Sequence, residues 1–342
     1  MRAAVIYKAR DIRIEDIEKP EPKLGEALIK IDSIGICGSD VHYYQHGRIG
    51  SRVITTPHIL GHELSGTVTE AGKNNHGIKE GMAVGIEPAI YCKVCELCVT
   101  GKYNLCKNIS YYGAPPSLGG MREYMCCPVE NVLPIPSNIT TEEGILLETM
   151  SIGIYSIDIA NIKLGDSIAV YGTGNVGISI LQLAQLSGAT EIYMVDLLDY
   201  RLKIAEKMGA ITINAKKENP AEKILDLTKG RGVDVGFEAA GDPETPQLTM
   251  NSIKHGGTFV FVGIVPTSII QWNTEVSRRR ELLIKSIYRS RHTYHRAISL
   301  VEKGKFNVKP YITHRFPLEK VKEALETVGH YKDNVLKAIV KP

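Results

Sequence analysis

At 342 residues the chain is long for a single core, so two domains are expected. Apolar content of 43%, charged content of 23% and a net charge of +3 are ordinary for a globular chain and give no basis for binding nucleic acid or a membrane. Met1-Arg2-Ala3-Ala4-Val5 leads directly into strand-like alternation rather than a signal peptide, and no apolar run is long enough for a bilayer span, so a cytoplasmic protein is expected.

Residues 1 to about 150 are predicted to be mostly strand: 27–31 and 66–69 are short, β-branched and bounded by turns, with glycines at 61, 66, 72, 77, 81 and 85. The pattern changes near Leu164. Residues 167–171 form a buried-strand run that opens on Gly172-Thr173-Gly174-Asn175-Val176-Gly177, a helical stretch covers 178–186, and a second strand over 192–195 ends at Asp196. A helical stretch over 205–208 and extended runs at 233–237 and 258–262 continue the alternation, with Asp242-Pro243 read as a helix start. Such alternation predicts a parallel sheet with helices on both faces. Beyond about Tyr288 it stops. Leu318, Val321, Leu325 and Val328 then mark an amphipathic helix and 335–340 a closing strand, a tail expected to rejoin the first domain. The basic run Arg278-Arg279-Arg280 is read as a solvated or ion-paired surface.

Seven cysteines in a cytosolic chain point to metal or catalysis rather than disulfides. Cys92, Cys95, Cys98 and Cys106 can surround one tetrahedral ion, and four thiolates on zinc leave no open position, so that site is expected to be structural. An iron–sulfur cluster also takes four cysteines. Cys126 and Cys127 are read as core or partly exposed thiols, not ligands.

Cys37, His62 and Glu63 supply a thiolate, an imidazole and a carboxylate, the donors of a zinc site with a position left for substrate. Their two negative charges balance the ion, and such a site makes a bound alcohol acidic. Ser39 and His42 lie close behind Cys37 and offer a hydroxyl and an imidazole to carry the proton away. Asp40 is placed to hold the other ring N–H of His62.

The glycine motif follows a strand and opens a helix, and Asp196 comes nineteen residues after Gly177 at a strand end, which is the context a dinucleotide site requires. Gly172 serves the tight turn, Gly174 the approach of the backbone to the pyrophosphate, and Gly177 the packing of helix on strand. Asp196 would accept the adenosine ribose hydroxyls. Leu197 and Leu198 follow it, with no arginine directly after the carboxylate, so NAD is expected rather than NADP.

With these motifs in place the chain resembles the zinc-dependent medium-chain dehydrogenases over essentially its whole length, and within them the polyol (sorbitol, L-iditol, xylitol) branch. The residues that carry this are Gly35-Ile36-Cys37-Gly38-Ser39-Asp40-Val41-His42-Tyr43-Tyr44, Gly47-Arg48-Ile49-Gly50, the Gly61-His62-Glu63 step, Asn307-Val308-Lys309-Pro310 and Thr313-His314-Arg315-Phe316-Pro317-Leu318-Glu319. The resemblance implies an α/β chain: a GroES-like β-rich catalytic domain over 1–150 and 289–342, and a Rossmann domain over 151–288. It implies one catalytic and one structural zinc, oxidation of a secondary hydroxyl of a small-molecule polyol to a ketose with NAD, and a homo-tetramer or homo-dimer. It further implies Glu148 as a metal-site carboxylate, direct or through water, and Tyr43 and Arg289 as substrate contacts. Val176, Asp196, Arg201, Val262, Gly263, Ile264, Ile287, Tyr288 and Arg289 match cofactor contacts. Ser290 stands in the substrate region where the polyol branch commonly has an aromatic residue, and Glu148-Thr149 stands where the family usually has Glu-Pro. L-Threonine or a sugar phosphate are the rival substrates, and a non-catalytic protein binding NAD and zinc is the rival from another class.

Overall fold

The structure is a computed structural model that describes residues 1–72 and 77–342. The chain forms two compact units, Met1–Thr149 with Tyr294–Pro342, and Met150–Thr293.

The first unit is built on the strand Glu26–Gly35, whose Ala27, Leu28, Ile29, Ile31 and Ile34 are all buried. At about 1.5–3 kcal/mol for each large aliphatic side chain removed from water, this strand is a natural centre for a sheet. Among the described residues the sheet has seven strands, in the order Val132–Pro134, Ala83–Ile86, Glu63–Glu70, Glu26–Gly35, Lys337–Lys341 and Ile312–Pro317, with Tyr124–Pro128 also pairing to Glu26–Gly35. The central strand runs antiparallel to each of its three partners. Register sets Gly35 opposite Glu63 on one side and opposite Ile339 on the other. Gly35 is required there for space: a Cβ would stand 2.0 Å from the Glu63 Oε2. The helices Gly38–His46 and Val321–Gly329 are joined by Tyr44, whose hydroxyl donates to Glu326 at 3.1 Å.

The second unit holds a parallel sheet of six strands among the described residues, ordered Ile211–Asn214, Glu191–Asp196, Ser167–Tyr171, Val233–Glu238, Ile253–Phe261 and Leu283–Ser286. The strand order reverses at Ser167–Tyr171, and in such sheets ligands bind beyond the carboxyl ends of the strands at that reversal. Burial of Ala169, Tyr171, Tyr193, Val195 and Phe259 forms one of its cores. Asp242-Pro243 does not start a helix. Asp242 instead accepts the Glu244 N–H at 2.9 Å in a turn, and the helix Thr245–Asn251 begins after it, with Pro246 in its first turn. In the basic run, Arg279 pairs with Glu275 at 2.6 Å and Arg280 donates to the Asn251 and Ile253 carbonyls.

After the strand Ala83–Ile86, burial pushes the Glu87 carboxyl up to about 7. The folded chain therefore keeps a proton that the unfolded chain loses near its ordinary value. Stability from this group is complete below about pH 4 and falls as pH rises through about 7, by on the order of 3 kcal/mol in total. Urea unfolding of Glu87→Gln should show a flatter loss of stability between about pH 5 and 8 than the parent; parallel curves would place the slope elsewhere.

Candidate metal centres and dinucleotide site

Cys37 occupies the N-cap of the helix Gly38–His46 in extended geometry. Asp40, 1% exposed, holds this corner together. Its carboxylate accepts the Cys37 N–H at 3.0 Å and the Gly61 N–H at 3.1 Å, and lies 3.6 Å from the His62 Nδ1. One buried carboxylate thus positions the thiol and the imidazole, the two segments that sequence alone leaves 25 residues apart. The Cys37, His62 and Glu63 donor atoms lie within 4.8 Å of one another.

Glu63 also has a partner that sequence reasoning did not find. Lys337, on the strand Lys337–Lys341, places its Nζ 2.6 and 2.7 Å from the two Glu63 oxygens, with both side chains almost fully buried. The pair reaches across the space left open by Gly35. Glu148, on the helix Leu146–Ala160, is buried and accepts the Tyr111 hydroxyl at 3.0 Å, and the Tyr111 ring lies 5.7 Å from that of His62.

The field at this corner favours positive charge. Burial opposes charge on His62, yet Asp40 and Cys37 outweigh it and raise the imidazole pKa well above its usual value. For Lys337 burial is likewise overcome, by Glu63 and Cys37. Burial, helped by Glu63, raises the Glu148 carboxyl against the pull of His62. A thiolate, an imidazole and buried carboxylates that together draw cations fit a zinc ion. In the neighbouring helix, Ser39 and His42 are three residues apart and so share a face. Burial and then His46 lower the His42 pKa, keeping that ring neutral near pH 7.

The four cysteine sulfurs stand 3.5 Å apart for Cys95–Cys98 and Cys92–Cys106, and 3.9 Å apart for Cys92–Cys98 and Cys95–Cys106. Zinc–sulfur bonds of about 2.3 Å give a tetrahedral edge of about 3.8 Å. These spacings fit one ion at the centre. A cluster would place several irons between the sulfurs and spread them apart.

In the second unit Gly172 has φ +102°, and a Cβ on it would meet Ala239 and Ala240 backbone at 2.6 Å. On Gly177 a Cβ would fall 1.9 Å from the Gly172 carbonyl oxygen. Around Gly174 the space is open, with the Arg201 Nη1 its nearest neighbour at 3.8 Å, so a phosphate has room above the helix N-terminus. Asp196 is fixed by the Thr173 and Leu198 N–H groups at 2.8 and 3.0 Å. Arg201 stands 3.8 Å from that carboxylate, although it lies five residues further along the chain. Val176 is half-buried in the first turn of the helix. Val262, Gly263 and Ile264 follow the strand Ile253–Phe261, and the Val262 and Gly263 N–H groups donate to the Glu238 carbonyl. Ile287 donates to the Phe261 carbonyl, Tyr288 is exposed, and the Arg289 guanidinium lies 4.8 Å from the Tyr288 ring centre. Ser290 is buried against Ser151, its hydroxyl 3.0 Å from that of Ser151, and Tyr43 is packed in the first unit's core.

A family model for the alcohol dehydrogenase GroES-like domain matches residues 23–137, and one for zinc-binding dehydrogenases matches 175–303. A sorbitol dehydrogenase of Bacillus subtilis is 36% identical over 343 aligned positions, covering 100% of this chain and 97% of that protein. The chain belongs to the zinc-dependent medium-chain dehydrogenases, in their polyol branch. Among solved structures, an oxidoreductase/dehydrogenase of unknown specificity from Escherichia coli superposes with a TM-score of 0.94 at 33% identity, over 99% of this chain and 98% of its own. A zinc-binding dehydrogenase from Sinorhizobium meliloti, bound to NADP, superposes with a TM-score of 0.91 at 28% identity, over 100% and 99%. The GroES-like unit and the parallel α/β sheet are those of this family, the protein is an alcohol dehydrogenase, and zinc is its metal.

Two functional neighbours in this dehydrogenase escaped the sequence reading. Lys337 had a signal, a lysine inside the otherwise apolar run 335–340. Tyr111 had none that a single sequence could show. Removing Lys337 alone leaves a carboxylate buried without its cation, a change that typically costs about 3–5 kcal/mol. At matched zinc content, Lys337→Met should be far less stable than the parent, and Glu63→Gln/Lys337→Met should recover part of the loss. Additive losses in that double-mutant cycle would show that the two side chains do not act as a pair.

Proposed function

We propose that this dehydrogenase oxidises a secondary hydroxyl of a sorbitol-like polyol to a ketose and passes the hydride to NAD. The observation that carries the reading is the meeting of the Cys37, His62 and Glu63 donors within 4.8 Å, in a pocket of charge that draws a cation. Cys37, His62 and Glu63 are the proposed zinc donors, with Glu148 a further metal-site carboxylate, direct or through water, and Lys337 offsets part of the Glu63 charge. Zinc, when bound there, lowers the pKa of a coordinated alcohol. Asp40 holds the His62 ring, Tyr111 orients Glu148, and Ser39 takes the hydroxyl proton to the neutral His42. Tyr43 and Arg289 are assigned to polyol contact by the family pattern. The four-cysteine lobe would hold a second, structural zinc.

Gly172, Gly174, Val176, Gly177, Asp196, Arg201, Val262, Gly263, Ile264 and 287–289 form the proposed dinucleotide site. Asp196 favours NAD because its fixed carboxylate can accept ribose hydroxyls and repels a 2′-phosphate. Arg201 beside it softens that preference, and the NADP-bound relative keeps NADP as the second reading. Seven cysteines, five of them assigned here to zinc, suit a reducing, cytoplasmic compartment.

Initial rates across sorbitol, L-iditol, xylitol, galactitol and L-threonine, with NAD and with NADP, test the reading. Turnover of polyols with a preference for NAD is expected, together with a fall of about a thousandfold or more in Cys37→Ala, whose fold should persist on one zinc instead of two. Turnover of threonine but no polyol, or full activity in Cys37→Ala, would reverse the assignment.

The strand Leu283–Ser286 lies at the edge of the parallel sheet with Leu283 and Ile284 exposed, a surface that natural proteins rarely leave unpaired. A second copy of the chain is the proposed partner, giving a dimer or tetramer. Light scattering should report that mass, and Ile284→Lys should lower it; a monomer in the parent would remove the proposal.

A further inference from the structure

A cavity of about 290 Å³ lies wholly within the first unit, walled by Ser51, Arg52, Thr55, Thr56, His58 and Pro115 among others. Its lining holds a guanidinium and hydroxyls but no carboxylate. The Arg52 Nη1 donates to the Pro115 carbonyl at 2.8 Å, which aims the group and leaves most of its five N–H donors for another partner. Among the described residues no carboxylate pairs with it. His58 is 3% exposed, bonds the Gly113 backbone through one ring nitrogen, and has a buried Nε2 with no partner. With the other nitrogen carrying the proton, this Nε2 is an acceptor waiting for a hydroxyl.

The cavity sits beside the metal corner. His58 precedes His62 by four residues, a span of at most about 14 Å when fully extended. The chain just before Pro115 is packed onto the same segment, since a Cβ on Gly113 would stand 2.9 Å from the Gly61 nitrogen. We propose that this pocket binds the anionic end of the substrate, a phosphate monoester or carboxylate on a polyol chain whose secondary hydroxyl reacts at the Cys37–His62 site. The Arg52 fork grips two oxyanion oxygens, the Ser51, Thr55 and Thr56 hydroxyls add donors, and His58 accepts a hydroxyl of the same chain. This inference rests on the dehydrogenase reading and narrows its substrate to charged sugar alcohols.

Initial rates on the zinc-loaded full chain with sorbitol, sorbitol 6-phosphate and gluconate, in the parent, Arg52→Leu and Arg52→Lys, test it. KM for one of the anionic compounds should lie at least about tenfold below that for sorbitol, and which one does so tells phosphate from carboxylate. Arg52→Leu should raise that KM by about tenfold or more and Arg52→Lys by less, each by a larger factor than the change in KM for sorbitol in the same variant. Equal anion KM values in parent and Arg52→Leu would overturn the pocket while leaving the dehydrogenase reading intact. If no compound is oxidised, that broader reading fails, and calorimetry with inorganic phosphate reads the pocket directly: binding lost in Arg52→Leu supports it, and unchanged or absent binding overturns it.

Discussion

The buried contact between Glu63 and Lys337 is the constraint on which the metal corner depends. Two ions removed from water cost several kcal/mol each, and the cost is offset only when both are held in close geometry. Here the Nζ lies within 2.7 Å of both carboxylate oxygens, and the Ile36 carbonyl at 3.4 Å takes a further proton of the ammonium. The geometry exists because two strands flank a central strand whose last residue has no side chain. A methyl group on Gly35 would occupy the place of the Glu63 carboxylate. Sheet register, a missing Cβ and a charge pair are therefore one requirement seen at three levels.

The same contact changes the electrostatics of the site. A thiolate and the Glu63 carboxylate are enough to balance a divalent ion when counted from sequence, but Lys337 cancels the second of these charges. Glu148, buried and hydrogen-bonded to Tyr111, is a further carboxylate at this corner. His62 is tuned by Asp40 and by Cys37, and the Asp40 contact holds the ring before any ligand arrives.

The chemistry was legible in the sequence where it depends on spacing along the chain, and illegible where it depends on folding back. The glycine motif, Asp196 and the four cysteines are local patterns that a single sequence displays. Cys37 and His62 were readable because a thiol and an imidazole, with the Glu63 carboxylate, are the donor types a zinc site uses. Lys337 could not be assigned to Glu63 from sequence because 274 residues separate them. Arg201 was placed among cofactor contacts, but its approach to Asp196 depends on how the helix Asp199–Lys207 turns after its strand. The helix start read at Asp242-Pro243 failed because an aspartate before proline serves a turn as well as it serves a cap. Ser290 was assigned to substrate; its hydroxyl lies 3.0 Å from that of Ser151, in a space where an aromatic ring would need far more room.

The first unit is discontinuous: it joins the opening 149 residues to the closing stretch from Tyr294, whereas the parallel-sheet unit is one unbroken segment. During synthesis the ribosome releases the whole parallel-sheet segment before it makes the strand that carries Lys337. That segment can complete its fold while the nascent opening region still lacks both a neighbour for its central strand and the cation for Glu63. Assembly of the catalytic corner is thus deferred until nearly the whole polypeptide has been made, and a chain stalled before Lys337 would expose an unfinished sheet to aggregation and capture by chaperones.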